Sequence, residues 1–254
     1  MIQLEGLTKR YGDVVAVDGL DLEVASGEIF GLLGPNGAGK TTTLRMMVGI
    51  LRPDAGRILV AGRDMAEEPR ETRRLLGFVP DRPFVYEKLT GAELLRFVAG
   101  LWGQEGPDVE ERIDELLELW DLAAWRDRLV ESYSHGMRQK LILSTALIHR
   151  PTVLVIDEPM VGLDPASARL LKRVLRSFAD AGGTVLISTH TLEFAEVLCD
   201  RLAVLQGGQV LTSGTMETLR KEAELEGGRL EAVFLKLVGD VGERRLARAL
   251  GDAP

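Results

Sequence analysis

GPNGAGKTT, Gly34 to Thr42, is the stretch whose reading decides the fold. Before it runs the apolar segment Ile29, Phe30, Gly31, Leu32, Leu33; after it Leu44, Met46, Met47 and Val48 recur at helical spacing. Strand, loop and helix follow in that order, and the spacing fits G-x-x-x-x-G-K-[ST] without a gap. Gly34, Gly37 and Gly39 have no Cβ and tolerate positive φ, so backbone N–H groups can curl around an anion. Pro35, Asn36 and Ala38 fill the positions between them. A helix opening at about Lys40 aims its unpaired N–H groups and positive dipole end at the same point. Lys40 is placed to reach β- and γ-phosphates, and the Thr41 hydroxyl to bind Mg²⁺, with Thr42 completing the run. A glycine-rich turn that binds nothing is the competing reading. Gly-Lys-Thr between a strand and a helix favours a nucleoside-triphosphate site.

The rest of the composition is compatible with that site. The chain has 254 residues, 45% of them apolar and 28% charged, as in an ordinary globular protein with a sizeable core. A net charge of −8 argues against a nucleic-acid partner held by charge. One cysteine, Cys199, allows no internal disulfide and no thiolate metal cluster. The start, Met1-Ile2-Gln3-Leu4-Glu5, lacks the pattern of a signal peptide, and no apolar run reaches the roughly 18–20 residues of a membrane span. The expectation is a cytoplasmic protein that works at the membrane face only through a partner.

Outward from the loop, residues 1–30 read as short alternating strands, with turns at Gly12-Asp13 and Ser26-Gly27. The loop's helix is expected to run to about Leu51, before Pro53, with a strand at Arg57–Ala61. Leu75 to Val79 is a short buried run ending in Pro80-Asp81-Arg82-Pro83, a stiff non-helical link. From about 87 to 149 the pattern turns helical. Ile113, Leu116, Leu117 and Trp120 fall on one face, with Glu110, Glu111, Asp114, Glu115 and Glu118 on the other. This reads as a helical insertion in an α/β core. Thr152–Ile156 and Thr184–Thr189 are continuous β-branched runs of the kind buried in parallel sheets. Arg201–Leu211 reads as a hairpin, and the stretch around Val233–Val238 as a short packing helix.

Asp157 and Glu158 stand at the end of the strand Thr152–Ile156, where open α/β sheets bind ligands. Four apolar residues and then a carboxylate form a Walker B element, whose Asp holds the Mg²⁺ shell. Glu158 next to it is a candidate general base, or a group that orients the attacking water. Asp-Glu-Pro could serve only as a turn; the phosphate loop upstream favours the functional reading.

With these motifs in place, the chain from about residue 2 to 238 resembles the ATP-binding-cassette (ABC) ATPases, specifically the nucleotide-binding subunits of ABC transporters. Ser134-His135-Gly136-Met137-Arg138-Gln139 resembles the family signature, usually Leu-Ser-Gly-Gly-Gln. Gly162-Leu163-Asp164-Pro165 resembles the D-loop, and Ser188-Thr189-His190 the switch-histidine loop. The resemblance implies an α/β P-loop NTPase fold with a mainly parallel sheet, an N-terminal antiparallel β subdomain and an inserted helical subdomain. It implies an ATPase domain over 1–239 and a tail at 240–254.

The resemblance also implies roles. Tyr11 stacks on adenine; Lys40, Thr41 and Asp157 hold phosphate and Mg²⁺; Glu158 activates water; His190 contacts the γ-phosphate. Ser134 and Gly136 complete the site of a second subunit, a copy of this chain or a related ATPase, in an ATP-sandwich dimer. Two positions depart from the pattern. His135 and Met137 stand where the commonest signature has Gly and Gln, and Asp81 stands at the Q-loop position, where the family typically has Gln (and sometimes Glu) and a metal contact is expected. The implied function is ATP hydrolysis driving a transmembrane permease. YSHGMRQK (Tyr133–Lys140) and LEAVFLKLVG (Leu230–Gly239) resemble the bacterial exporter branch that includes drug-resistance pumps. A non-transport ABC ATPase acting on ribosomes or DNA would usually bring paired cassettes or a coiled-coil insertion. A regulatory module without turnover would usually lack Glu158 or His190.

Overall fold

The computed structural model describes residues 1–82, 84–160, 162–225 and 227–239. Pro83 of the proline-flanked link and the expected tail at 240–254 lie outside them.

The N-terminal alternation folds as one long hairpin rather than several short strands. β1 (Ile2–Tyr11) and β2 (Val14–Val24) pair antiparallel across the Gly12-Asp13 turn. The ladder continues past the breaks in alternation because register shifts absorb them, with Gly6 and Gly19 at φ 56° and 60°. β3 (Ile29–Leu33) leads into the phosphate loop, and α1 (Lys40–Met47) leaves it. This helix stops short of the expected Leu51. Gly49 takes φ 74°, and the N–H groups of Ile50 and Leu51 both turn back to the Arg45 carbonyl. β4 (Ala55–Val60), β5 (Arg63–Asp64) and α2 (Pro69–Arg74) follow; the last two carry too little periodicity to be read from the sequence.

Next come β6 (Leu76–Val79), then α3 (Gly91–Leu101), α4 (Pro107–Leu119) and α5 (His135–Leu147). α3 starts at a reciprocal capping box between Thr90 and Glu93. The apolar face expected on α4 is buried, and Ile113, Leu116 and Leu117 each contribute about 1.5–3 kcal/mol by leaving water. The chain then alternates strand and helix: β7 (Val153–Asp157), α6 (Pro165–Asp180), β8 (Thr184–Thr189), α7 (Leu192–Leu198) and β9 (Arg201–Gln206). β10 (Gln209–Gly214), α8 (Met216–Glu222) and α9 (Leu230–Val238) close it.

Two sheets result. One is antiparallel, in the order β2-β1-β4-β5; the other runs β10-β9-β3-β8-β7-β6 and is parallel except where β10 returns along β9. β3, β7 and β8 are buried at every residue, which explains their unbroken apolar runs. Their register matters most for function. Leu33 pairs with Thr189 and Asp157 with Ser188, so three strand ends, and the loops that follow them, open at one edge. No helix among the described residues is long and apolar enough to cross a membrane.

Candidate functional site

At that edge the phosphate loop has the conformation its glycines permit. Gly37 and Gly39 sit at φ 81° and 105°. A Cβ on Gly39 would come within 2.5 Å of the Ala16 carbonyl oxygen, so the loop can press against β2 only with glycine there. The first helical hydrogen bond of α1 runs from Thr43 N–H to the Gly39 carbonyl, and no side chain caps the helix start. The earlier N–H groups of Lys40, Thr41 and Thr42 therefore form a donor cluster at the positive end of the helix. The Lys40 ammonium donates to the carbonyls of Gly34 (2.6 Å) and Pro35 (3.2 Å). Burial pushes its pKa below the ordinary lysine value, against the pull of the Glu158 and Asp157 carboxylates.

Asp157 is buried beneath this loop, and the Ser188 hydroxyl donates to it. Burial pushes its pKa up; hydrogen bonds from Ser188 and Thr41 oppose that, while the charges of Asp81 and Glu158 add to it. Glu158 follows in the left-handed region, at φ 54°, which costs a non-glycine residue about 1–3 kcal/mol. Its N–H is held by the Ser188 carbonyl at 2.9 Å. Oε1 lies 2.8 Å from His190 Nδ1, and Oε2 accepts from His190 N–H and the Thr189 hydroxyl, both at 3.3 Å. The Glu158 side chain is 14% exposed and that of His190 63%, so the pair spans from core to solvent.

The loop, Glu158 and His190 share a cleft of about 490 Å³, lined by Asn36 to Thr42, Asp81, Glu158, His190 and Tyr11, with Asp157 buried behind it. Tyr11 is the last residue of β1, and it is half exposed in the cleft. Gly34 and Pro35 line a smaller adjoining cavity together with His190 and Phe234. Asp81 lies on the cleft wall, so the sequence position that departs from the family pattern still faces the common space.

Ser134 and Gly136 do not line this cleft. Ser134 caps α5, its hydroxyl accepting from Met137 N–H at 3.3 Å. Gly136 packs against the turn at Gly162, where an added Cβ would lie 3.0 Å from the Gly162 carbonyl oxygen. The unusual His135 is accommodated by the same turn. A Cβ on Gly162 would fall 2.1 Å from the His135 ring, and Gly162 has φ 80°. Asp164, two residues on, caps α6 through Ala166 and Ser167, and these hydrogen bonds hold its carboxyl down at about 2.

Known proteins are similar to this chain in sequence and in fold. The profile of the ABC transporter family matches residues 17–161. The daunorubicin resistance ATP-binding protein DrrA3 of Streptomyces coeruleorubidus is 43% identical over 241 residues, 95% of this chain and 75% of that protein. The chain belongs to the ABC transporter family. Nod factor export ATP-binding protein I of Cupriavidus metallidurans is 40% identical, over 94% of this chain and 77% of its own length. A solved ATP-binding subunit of an ABC transporter superposes with a TM-score of 0.89 at 31% identity, covering 94% of this chain and all of that one. As an ABC ATPase subunit, the chain binds ATP and hydrolyses it to power a membrane transporter.

Sequence reading assigned no role to Ser188 and Thr189 beyond membership of the switch motif. The structure makes them direct partners of Asp157 and Glu158. The signal available was the alignment of two buried runs, which puts Ser188 beside Asp157 whenever β7 and β8 pair in register.

Proposed function

We propose that the chain is the ATPase of an exporter, pairing with a permease and with a second ATPase subunit. The observation that carries this reading is the convergence of loop, Thr41, Asp157, Glu158 and His190 on one strand-end edge. The names of the relatives, resistance to daunorubicin and export of Nod factor, favour export.

ATP enters with adenine against Tyr11 and its phosphates on the N–H cluster of Gly37 to Thr42. Lys40 leaves the loop carbonyls for the phosphate oxygens. Glu158 orients the attacking water and accepts its proton as the water oxygen bonds to the γ-phosphorus and the bond to the bridging oxygen breaks. His190 touches the γ-phosphate while Nδ1 remains paired with Glu158. Thr41 and Asp157 are the donors for Mg²⁺. Among the described residues no group of three or more His, Cys, Asp or Glu is arranged to hold a metal ion by itself, so an ion on Thr41 and Asp157 would be completed by phosphate and water oxygens. Mg²⁺ held by Thr41 and Asp157 would supply positive charge that stabilises the phosphate as its charge develops.

The helices between 87 and 149 form the arm that answers to the permease. Just past the Asp81 link, Phe84 is 82% exposed, and Phe84, Tyr86 and Phe97 meet edge to face beside a cavity of about 660 Å³. Arg138 on the signature helix reaches that cavity and pairs with Glu87 at 2.7 Å. A cytoplasmic segment of the permease seated there contacts the signature helix through Arg138 and, at Phe84, the chain three residues in sequence past Asp81. Ser134 and Gly136 serve the partner ATPase, since their donors fall outside this chain's own cleft.

The test is Glu158→Gln on size-exclusion chromatography with and without ATP. An ATP-dependent dimer is expected; a monomer in both conditions overturns the homodimer and leaves pairing with a different ATPase subunit.

A further inference from the structure

A cavity of about 390 Å³ opens between the C-terminal end of α1, strand β4 and the turn from β5 into α2. None of the nucleotide-binding motifs reaches it. Its floor is apolar, formed by the buried side chains of Met46, Ile58 and Met65. Its walls carry Arg52, Arg57 and Arg73 against a single carboxylate, Asp64.

Arg57 is already engaged: its Nε donates to Asp64 at 2.6 Å, and that bond holds the Asp64 carboxyl below the usual carboxylate range. Asp64 is further satisfied by Ala66 N–H. Arg73 uses Nε on the Pro69 carbonyl, and its terminal nitrogens have no carboxylate partner among the described residues. The Arg52 side chain has neither a hydrogen bond nor an ion pair among them. Two guanidinium groups are thus left without a counter-charge beside an apolar hollow, in a chain of net charge −8. The C-terminal turn of α2 accounts for the position of Arg73. It does not account for Arg52, nor for a concave, methionine-floored space between the two.

We propose that this cavity binds a small amphipathic anion, with its carboxylate, sulfonate or phosphate head on Arg52 and Arg73 and its apolar body on Met46, Ile58 and Met65. Guanidinium groups match such heads with paired N–H donors. Thioether side chains adapt to irregular apolar shapes, and the volume falls within the roughly 300–1,000 Å³ of small-molecule sites. Gly49 helps keep the wall thin: a Cβ there would already stand 3.0 Å from the Met65 sulfur. The occupant rests on the far end of the helix that begins with Lys40 and Thr41, about 12 Å away along its axis.

The probe is 1-anilinonaphthalene-8-sulfonate, titrated by fluorescence into the full chain saturated with ADP, so that nucleotide-site binding is blocked. Saturable binding at one site is expected, weakened by added salt and at least tenfold weaker in Arg52→Ala/Arg73→Ala. Met65→Trp, which fills the hollow, should abolish it while the chain still melts cooperatively. Should Met65→Trp fail to fold, the arginine pair, whose side chains are exposed, decides alone. Equal affinity in the double variant, or binding that never saturates, overturns the proposal.

Discussion

The phosphate-loop corner and the signature turn are both helix starts offering donors to an anion, but they are finished differently. At α1 no side chain caps the helix, and the donors open onto a cleft that also holds Glu158, His190 and Asp81. At α5 the Ser134 hydroxyl caps its own helix and the neighbouring groups are the D-loop's, with no carboxylate or lysine of the cleft beside it. In the proposed roles the first corner carries the chemistry and the second supplies a donor to a partner's nucleotide, and each test below strikes one side of the comparison.

The largest effect falls on the first corner. Glu158→Gln removes the proton acceptor but keeps the shape and the hydrogen-bonding reach to His190. ATP turnover, measured by phosphate release, should drop about 10²–10⁴-fold, with nucleotide affinity by calorimetry unchanged. Turnover within a few-fold of wild type would assign the water to another group.

The second corner is probed by Ser134→Asp. Aspartate caps helices as well as serine does, so thermal stability should hold. A carboxylate facing the partner's γ-phosphate should instead repel it, and loss of one anion-stabilising donor costs about 10²–10³-fold in turnover. If Ser134 only caps α5, Ser134→Asp will be as active and as stable as wild type.

How far these corners were legible follows the same division. The phosphate loop and Asp157-Glu158 were readable because backbone geometry and metal chemistry restrict which residues fit, and the flanking buried runs marked the strands. The parallel core, the helical face of Ile113 to Trp120 and the hairpin at 201–211 carried clear periodicity. β5 and α2 did not: they are two and six residues long and lie in a charged, exposed stretch. The end of α1 was misjudged because Pro53 looked like the stop signal, whereas Gly49 ends the helix by adopting positive φ. Nothing local announced that Ser188 would hold Asp157, or that Gly162 would make room for His135; both depend on pairing between distant segments.

A smaller effect is expected elsewhere in the cleft. Tyr11 is half exposed, and Lys9 lies 5.9 Å from its ring centre, so little core packing depends on it. Base–aromatic stacking is worth about 1–3 kcal/mol, and Tyr11→Ala should weaken ATP binding by that amount with melting temperature unchanged. Unaltered affinity by calorimetry would reduce Tyr11 to a strand-end residue.

The smallest effect belongs to Asp81, which joins the first corner to the exposed aromatic groove. It lines the cleft, and its charge already acts on Asp157, but its nearest ion-pair partner is Arg82 at 3.9 Å, a weak and solvent-exposed contact. Relative to the family's glutamine the side chain is shorter by one carbon–carbon bond, about 1.5 Å. Direct metal coordination is therefore harder, and contact through a metal-bound water fits the reach better. Asp81→Ala should slow Mg²⁺-dependent hydrolysis about tenfold, the low end for an outer-shell partner, and uncouple it from transport. Asp81→Gln should keep most of the activity, since an amide oxygen can accept from the same water. The decisive measurement is a Mg²⁺ titration of both variants, with hydrolysis and transport followed in the assembled transporter. Equal rates for Asp81→Ala and wild type at every Mg²⁺ concentration would show that the family's role for this position does not carry over to Asp81.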